Sequence, residues 1–151
     1  MYLTTDVNPR ACEATQRTGR HLAFAVHPIQ TSLAHGIRWT QQVDLLLFNF
    51  PYVPTSEAER CSPSNELVHA WAGGTDGRYW IDRFIHEAWL DRVCSAKAIC
   101  YLVVVEENRP DEIIQQIEVR SDHRWQGCRF LARKAGRERL CILRFARAIV
   151  A

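Results

Sequence analysis

No C-x-x-C pair occurs in this sequence, although it holds six cysteines, Cys12, Cys61, Cys94, Cys100, Cys128 and Cys141. Without that spacing, neither a zinc site nor a dithiol redox motif is written in the chain. Scattered cysteines, several of them inside apolar segments, are expected to be reduced thiols, mostly buried as small hydrophobes, in an intracellular protein rather than a disulfide framework. A basic stretch followed by an apolar one is missing from the first residues, and no apolar run approaches the ~20 residues that a bilayer requires. A soluble protein with no membrane partner is expected, cytoplasmic, with the nucleus also open to it. An excess of charge is missing too: 19 basic against 17 acidic residues leave a net charge of +2. That balance excludes the global basic field that drives nucleic-acid binding, and it argues against duplex DNA in particular. Internal repeats and linker-like composition breaks are also lacking. The 151 residues, 47% of them hydrophobic, are therefore expected to form one domain around one core.

What is there centres on residues 43–55. A run of Val, Leu and Phe without helical period reads as a strand buried on both faces, and it stops at Asn49-Phe50-Pro51-Tyr52. In an open α/β sheet, ligands sit beyond the carboxyl ends of such strands. Asn49 can donate and accept hydrogen bonds in one plane, Tyr52 can stack on a flat group, and Pro51 biases Phe50 toward an extended backbone. The set suits a planar nitrogen-bearing substrate, an amide or a nucleobase. A strand followed by an ordinary proline turn would read the same way.

The remaining segments alternate in type. Residues 2–6 look like a short strand ending in Asp6, the position at which nucleoside-binding α/β proteins hold a ribose diol. Asn8-Pro9 starts a helix over residues 9–18, which Gly19 closes. Residues 22–27 form the next strand candidate, with His27 as a strand-end residue and not a metal ligand. Between 28 and 42 only a short turn around 32–36 is expected, with Trp39 as a core-covering aromatic. Residues 56–66 form a polar loop over the presumed site. Gly73, Gly74 and Gly77 follow, either bringing backbone close to a ligand or making a tight turn; no strand precedes them, so they are not a phosphate-binding fingerprint. A helix over residues 78–93, a buried strand over 98–105 and a helix from Arg109 to about Val119 come next. Residues 125–133 and 140–146 then read as an antiparallel hairpin at a sheet edge. The fold class is α/β and doubly wound, with helices on both faces of the sheet.

The order of these parts resembles the HemK or PrmC-like class I methyltransferases, and within them the eukaryotic branch that methylates the glutamine side chain of the class 1 translation termination factor. The marks are Thr5-Asp6-Val7-Asn8-Pro9, the strand ending in Asn49-Phe50-Pro51-Tyr52-Val53, and Ala70-Trp71-Ala72-Gly73-Gly74 with Gly77-Arg78. Glu107-Asn108-Arg109-Pro110-Asp111-Glu112-Ile113 and Ala135-Gly136-Arg137-Glu138-Arg139-Leu140 complete them. The resemblance implies a Rossmann-like sheet and methyl transfer from S-adenosylmethionine to a planar nitrogen. It assigns Asn49, Phe50, Pro51 and Tyr52 to the substrate amide, and Asp6, Ser32 and Asn49 to the cofactor, and it requires no metal. The partners it implies are the termination factor as substrate and a small zinc-containing activator subunit, for which an apolar edge over residues 22–26 would serve. A histone lysine or an adenine amino group would suit the same pocket.

Three departures from the family pattern are visible. Phe50 stands where the family has proline, which implies a looser site; Ser32 stands where an acid is common near the adenine. The third is larger: the glycine-rich first motif, with its strand and helix, has no counterpart, so the chain corresponds to the C-terminal portion of the family domain. A catalytically inactive variant that binds activator or substrate is therefore the alternative to an enzyme. Without the central strand, residues 2–6 are expected either to pair directly beside residues 43–49 or to leave two exposed strand flanks.

Overall fold

The structure is a computed structural model that describes residues 1–38, 42–61, 67–136 and 138–148. They fall into two compact units, residues 1–38 and 39–151. Trp39 and Arg137 lie outside the described residues, as does the 62–66 part of the polar loop.

In the first unit, β1 (Tyr2–Asp6) pairs in parallel with β2 (Val26–Gln30), and α1 (Pro9–His21) connects them. Asn8 caps the helix by accepting from the Arg10 amide at 2.9 Å, with Pro9 in the first turn. Gly19 does not close the helix but lies inside it. A Cβ there would stand 2.8 Å from the Phe24 carbonyl, so glycine is needed for the returning chain to cross close by. That crossing displaces the expected strand. Residues 22–25 form the reversal, with Ala23 at φ 52°, and the strand begins only at Val26. The apolar edge expected over residues 22–26 is therefore largely a turn. The turn at 32–36 is present, closed by the His35 amide on the Ser32 carbonyl at 3.1 Å.

The second unit carries a four-stranded sheet of β3 (Val43–Asn49), β4 (Cys94–Val105), β5 (Trp125–Ala135) and β6 (Glu138–Arg147), in the order β3-β4-β6-β5. β3 and β4 are parallel, whereas β6 runs antiparallel to both of its neighbours. Each strand has its ladder within its own unit: β1 pairs with β2 in the first, and β3 with β4 in the second. Cys100, Leu102 and Val104 of β4 and Cys141, Leu143 and Phe145 of β6 alternate onto one face and are fully buried. With them pack Ile81, Phe84 and Trp89 from α3 (Tyr79–His86) and α4 (Trp89–Val93), and Ile113 and Ile117 from α5 (Pro110–Arg120).

Two expectations need correction here. β3 is an edge strand rather than one buried on both faces: Leu45 and Leu47 are 55% and 69% exposed, while Leu46 and Phe48 turn inward and are half-buried. An unbroken apolar run conceals which face is covered, because only the layers above and below decide it. The single helix expected over residues 78–93 is two, broken at Ala88, which takes φ 53°. The indole of Trp89 donates to Glu87 at 2.9 Å across that break while its ring is buried. Within the expected polar loop, Ser56 and Glu59 form a reciprocal capping box on the four-residue α2 (Glu57–Arg60). Three of the six thiols, Cys94, Cys100 and Cys141, are buried, while Cys61 and Cys128 are exposed. Among the described residues, no helix is long and apolar enough to cross a membrane.

Candidate functional site

β3 delivers Asn49 to its carboxyl end with the side chain exposed, on the same side of the strand as Leu45 and Leu47. Among the described residues the Asn49 carboxamide has no hydrogen-bond partner, so both its oxygen and its NH2 are available. The next residue behaves oppositely. Phe50 is only 2% exposed, stacks on Phe48 at 3.7 Å and meets the edge of Phe84 at 5.4 Å. Core packing thus fixes the backbone at Phe50, where a proline would have fixed φ covalently.

The turn that follows is sewn to the glycine segment. The Val53 amide donates to Trp71 at 3.0 Å, the Gly73 amide to Val53 at 2.8 Å, and the Thr55 amide to Gly74 at 3.0 Å. A Cβ on Gly73 would lie 2.5 Å from the Pro51 carbonyl, and one on Gly77 would overlap the Tyr52 carbonyl. Gly77 also takes φ +66°. These glycines serve a tight turn laid against the Asn49-Phe50-Pro51-Tyr52 segment, the second of the two readings open from sequence.

Beneath this turn lies a buried polar centre. Asn108 is 0% exposed; its Oδ1 accepts from the Val105 amide, and its Nδ2 donates to the carbonyls of Tyr52 and Asp76, each at 2.8 Å. Arg78, 5% exposed, donates to the Asn108 carbonyl at 2.9 Å, to Asp82 at 2.6 Å and to Gln116 at 2.8 Å. In the sequence both residues stand only as landmarks of the family resemblance. An asparagine just past a buried strand and before Arg-Pro was the signal available. Tyr52 itself is half-buried, and burial, with Glu138 adding to it, pushes its phenol above the usual range. The ring is neutral at physiological pH.

In the first unit, Asp6 ends β1 and Ser32 follows β2, so the parallel pairing of Asp6 with Gln30 brings them to the same end of the strand pair. One oxygen of the Asp6 carboxylate accepts from the Asn8 amide at 2.8 Å, and the Thr31 amide donates to the Asp6 carbonyl at 2.9 Å. Among the described residues, no three side chains of metal-ligating type converge.

No family model matches the chain. Methyltransferase HEMK2 of Mus musculus is 41% identical to it over 150 residues, covering 98% of this chain and 67% of that protein. The eRF1 methyltransferase catalytic subunit mtq2 of Schizosaccharomyces pombe is 33% identical over 154 residues, 97% of this chain and 64% of that protein. The chain belongs to the HemK-like class I methyltransferases, in the eRF1 glutamine methyltransferase branch. It spans about two thirds of the length of these relatives. The E. cuniculi Mtq2-Trm112 complex, described as responsible for methylating the eRF1 translation termination factor, contains a chain that superposes with a TM-score of 0.68. That match, at 28% identity, covers 97% of this chain and 71% of the other.

Methyltransferases of this class use S-adenosylmethionine. The donor set present fits part of that molecule. A carboxylate with one oxygen tied to its own loop and the other without a partner among the described residues suits a pair of vicinal hydroxyls, and the serine at the same strand end offers a neutral donor and acceptor.

Proposed function

We propose that this chain binds the side-chain amide of a glutamine in a class 1 translation termination factor of the eRF1 type, for methylation at the amide nitrogen. The observation that carries this reading is the unpartnered carboxamide of Asn49 at the end of β3, followed at once by backbone that the core and the Asn108 centre hold still. An amide nitrogen is a weak nucleophile because its lone pair is delocalised. Catalysis must therefore orient the nitrogen and favour localisation of that pair. Asn49 Oδ1 would accept one hydrogen of the target NH2 and the Phe50 carbonyl the other, while Pro51 and the neutral Tyr52 ring shelter the amide from water. Within the first unit, Asp6 would hold the ribose hydroxyls of the cofactor and Ser32 the adenine. S-adenosylmethionine, when bound, supplies a methyl group on a positively charged sulfur.

A Trm112-like, zinc-containing activator subunit is the partner this reading requires, and the cytoplasm the compartment. The E. cuniculi complex supports the partner, and the names of the relatives support the substrate. Calorimetric titration of S-adenosylmethionine into the chain with its activator tests cofactor binding; absence of heat would leave a protein that binds without turnover. Mass spectrometry of a termination-factor domain carrying Gly-Gly-Gln should then show one added methyl. Asn49→Ala should slow its appearance by about 100-fold, the usual cost of one transition-state hydrogen bond. An unchanged rate would overturn the site assignment.

A further inference from the structure

We propose that Asn108 is a positioning residue for the substrate-binding turn, setting the geometry of Asn49-Phe50-Pro51-Tyr52 from beneath without touching substrate. This rests on the reading that the turn holds the target amide. Every hydrogen-bonding atom of the Asn108 side chain is committed. Its oxygen ends the β4 strand by accepting from Val105, and its NH2 bridges two carbonyls that belong to different segments, Tyr52 of the turn and Asp76 of the glycine loop. Such a bridge requires a neutral group with one acceptor and two donors in a plane, which only a carboxamide provides at this length. The Asn108 main chain is itself held by Arg78, whose guanidinium reaches α3 through Asp82 and α5 through Gln116. The turn, the glycine loop and β4 therefore meet at one buried carboxamide, and two helices are tied to the main chain of the same residue through Arg78. Gly77 has no room for a side chain because its Cβ would collide with the Tyr52 carbonyl and with Asn108 Nδ2, so loop and turn close tightly around that group.

A purely structural asparagine would lower stability when replaced and do nothing else. A positioning asparagine makes the turn respond locally and reversibly to the charge of its replacement. Asn108→Asp is isosteric and keeps the acceptor for Val105. In its ionised form, however, it turns a second oxygen toward two carbonyl oxygens. In its protonated form it recovers one of the two donors. The charged groups around the position, Arg78, Asp76, Asp82, Arg109, Glu107 and Glu112, are common to wild type and variant, so the wild type is the pH control.

The test is amide hydrogen exchange and side-chain NMR on the chain with its activator. At about pH 8, Asn108→Asp is expected to speed exchange at the Val53 and Gly73 amides by roughly tenfold and to shift the Asn49 NH2 resonances, with β6 amides unaltered. Lowering the pH to about 5 should bring both signals back toward wild type, because burial between two carbonyls raises the carboxyl pKa. Asn108→Ala should loosen the same amides with no rescue at any pH. If Asn108→Asp does not fold at the higher pH, Asn108→Ser, which keeps a single donor, carries the same readout at Val53 and Gly73. Unchanged exchange at those amides, or loosening spread evenly over β4 and β6, overturns the proposal. So does loosening of the turn that leaves the affinity for a Gly-Gly-Gln peptide as it was, provided Asn49→Ala abolishes that affinity. If Asn49→Ala also leaves peptide affinity unchanged, the substrate assignment fails instead, while the local coupling of Asn108 to the turn is judged by exchange alone.

Discussion

The two units of this chain are assembled from the same strand-helix-strand elements and differ almost completely in what they bury. Among residues 1–38 only Gly19 is buried, and Tyr2, Val7, Leu22 and Phe24 stand 57%, 55%, 67% and 45% exposed. In the second unit Trp125, Phe145, Leu143, Leu102 and Ile113 are all 0% exposed. A parallel strand pair with one helix has one covered side and too few strands to enclose apolar groups, so local geometry forms there without a core behind it. The second unit adds antiparallel strands and further helices, and a set of large apolar side chains becomes fully buried. The contrast carries over to the candidate residues within each unit. Asp6 and Ser32 rest on backbone held by short-range hydrogen bonds, whereas Asn49 to Tyr52 are anchored by packing and by a buried network.

The largest effect expected from this contrast is on stability. Trp125→Ala should cost about 3–5 kcal/mol in urea unfolding followed by circular dichroism, whereas Phe24→Ala should cost less than about 1 kcal/mol. Comparable losses would mean that the first unit contributes a core after all. Next in size is a pair of glycines that both take positive φ. Gly77→Ala adds a collision with the Tyr52 carbonyl and Asn108 to an unfavourable backbone, while Gly136, at φ +63°, has open space around it. The first should lose about 2–4 kcal/mol and the second about 1 kcal/mol by the same unfolding measurement. Equal losses would break the inference that the turn and the glycine loop are wedged together.

The smallest effect concerns the thiols. Cys61 and Cys128 are exposed and should react with a thiol reagent at once; Cys94, Cys100 and Cys141 should react only on global unfolding. Cys12, half-buried in the first unit, should react well below the urea midpoint of the second. Burial pushes the Cys94 thiol from its ordinary 9.0 up to about 12. The folded state therefore retains a proton that the unfolded state releases, and this contribution to stability is full below about pH 9 and is lost as pH rises toward 12. Unfolding midpoints measured from pH 8 upward should fall accordingly. A flat profile would show that Cys94 is accessible in the native state.

Much of the site was legible in residue order, because its parts are local. An asparagine and a proline closing an apolar run announce a strand end, and Asn8-Pro9 announces a helix start by capping chemistry alone. The features that residue order conceals depend on neighbours distant in the chain. Gly19 looked like a stop signal because glycine usually ends helices, but the approach of Phe24 to that turn is a tertiary fact. The break at Ala88 has no glycine or proline to mark it; it exists because Trp89 must enter the core while its indole reaches Glu87. Phe50 looked weaker than proline, and the two rings that hold it, Phe48 and Phe84, are brought together only by folding.

By itself the sequence determined the alternation of strand and helix, the position of Asn49 at a strand end, and the family to which the chain belongs, since each depends on contacts within a few residues or on the order of motifs. The tertiary structure alone decided that β3 is an edge strand with one face open, that β1 pairs with β2, and that Asn108 joins Tyr52 to Asp76. Those outcomes depend on groups far apart along the chain. Fifty-six residues separate Asn108 from Tyr52, and only the closure of the fold sets the distance between them.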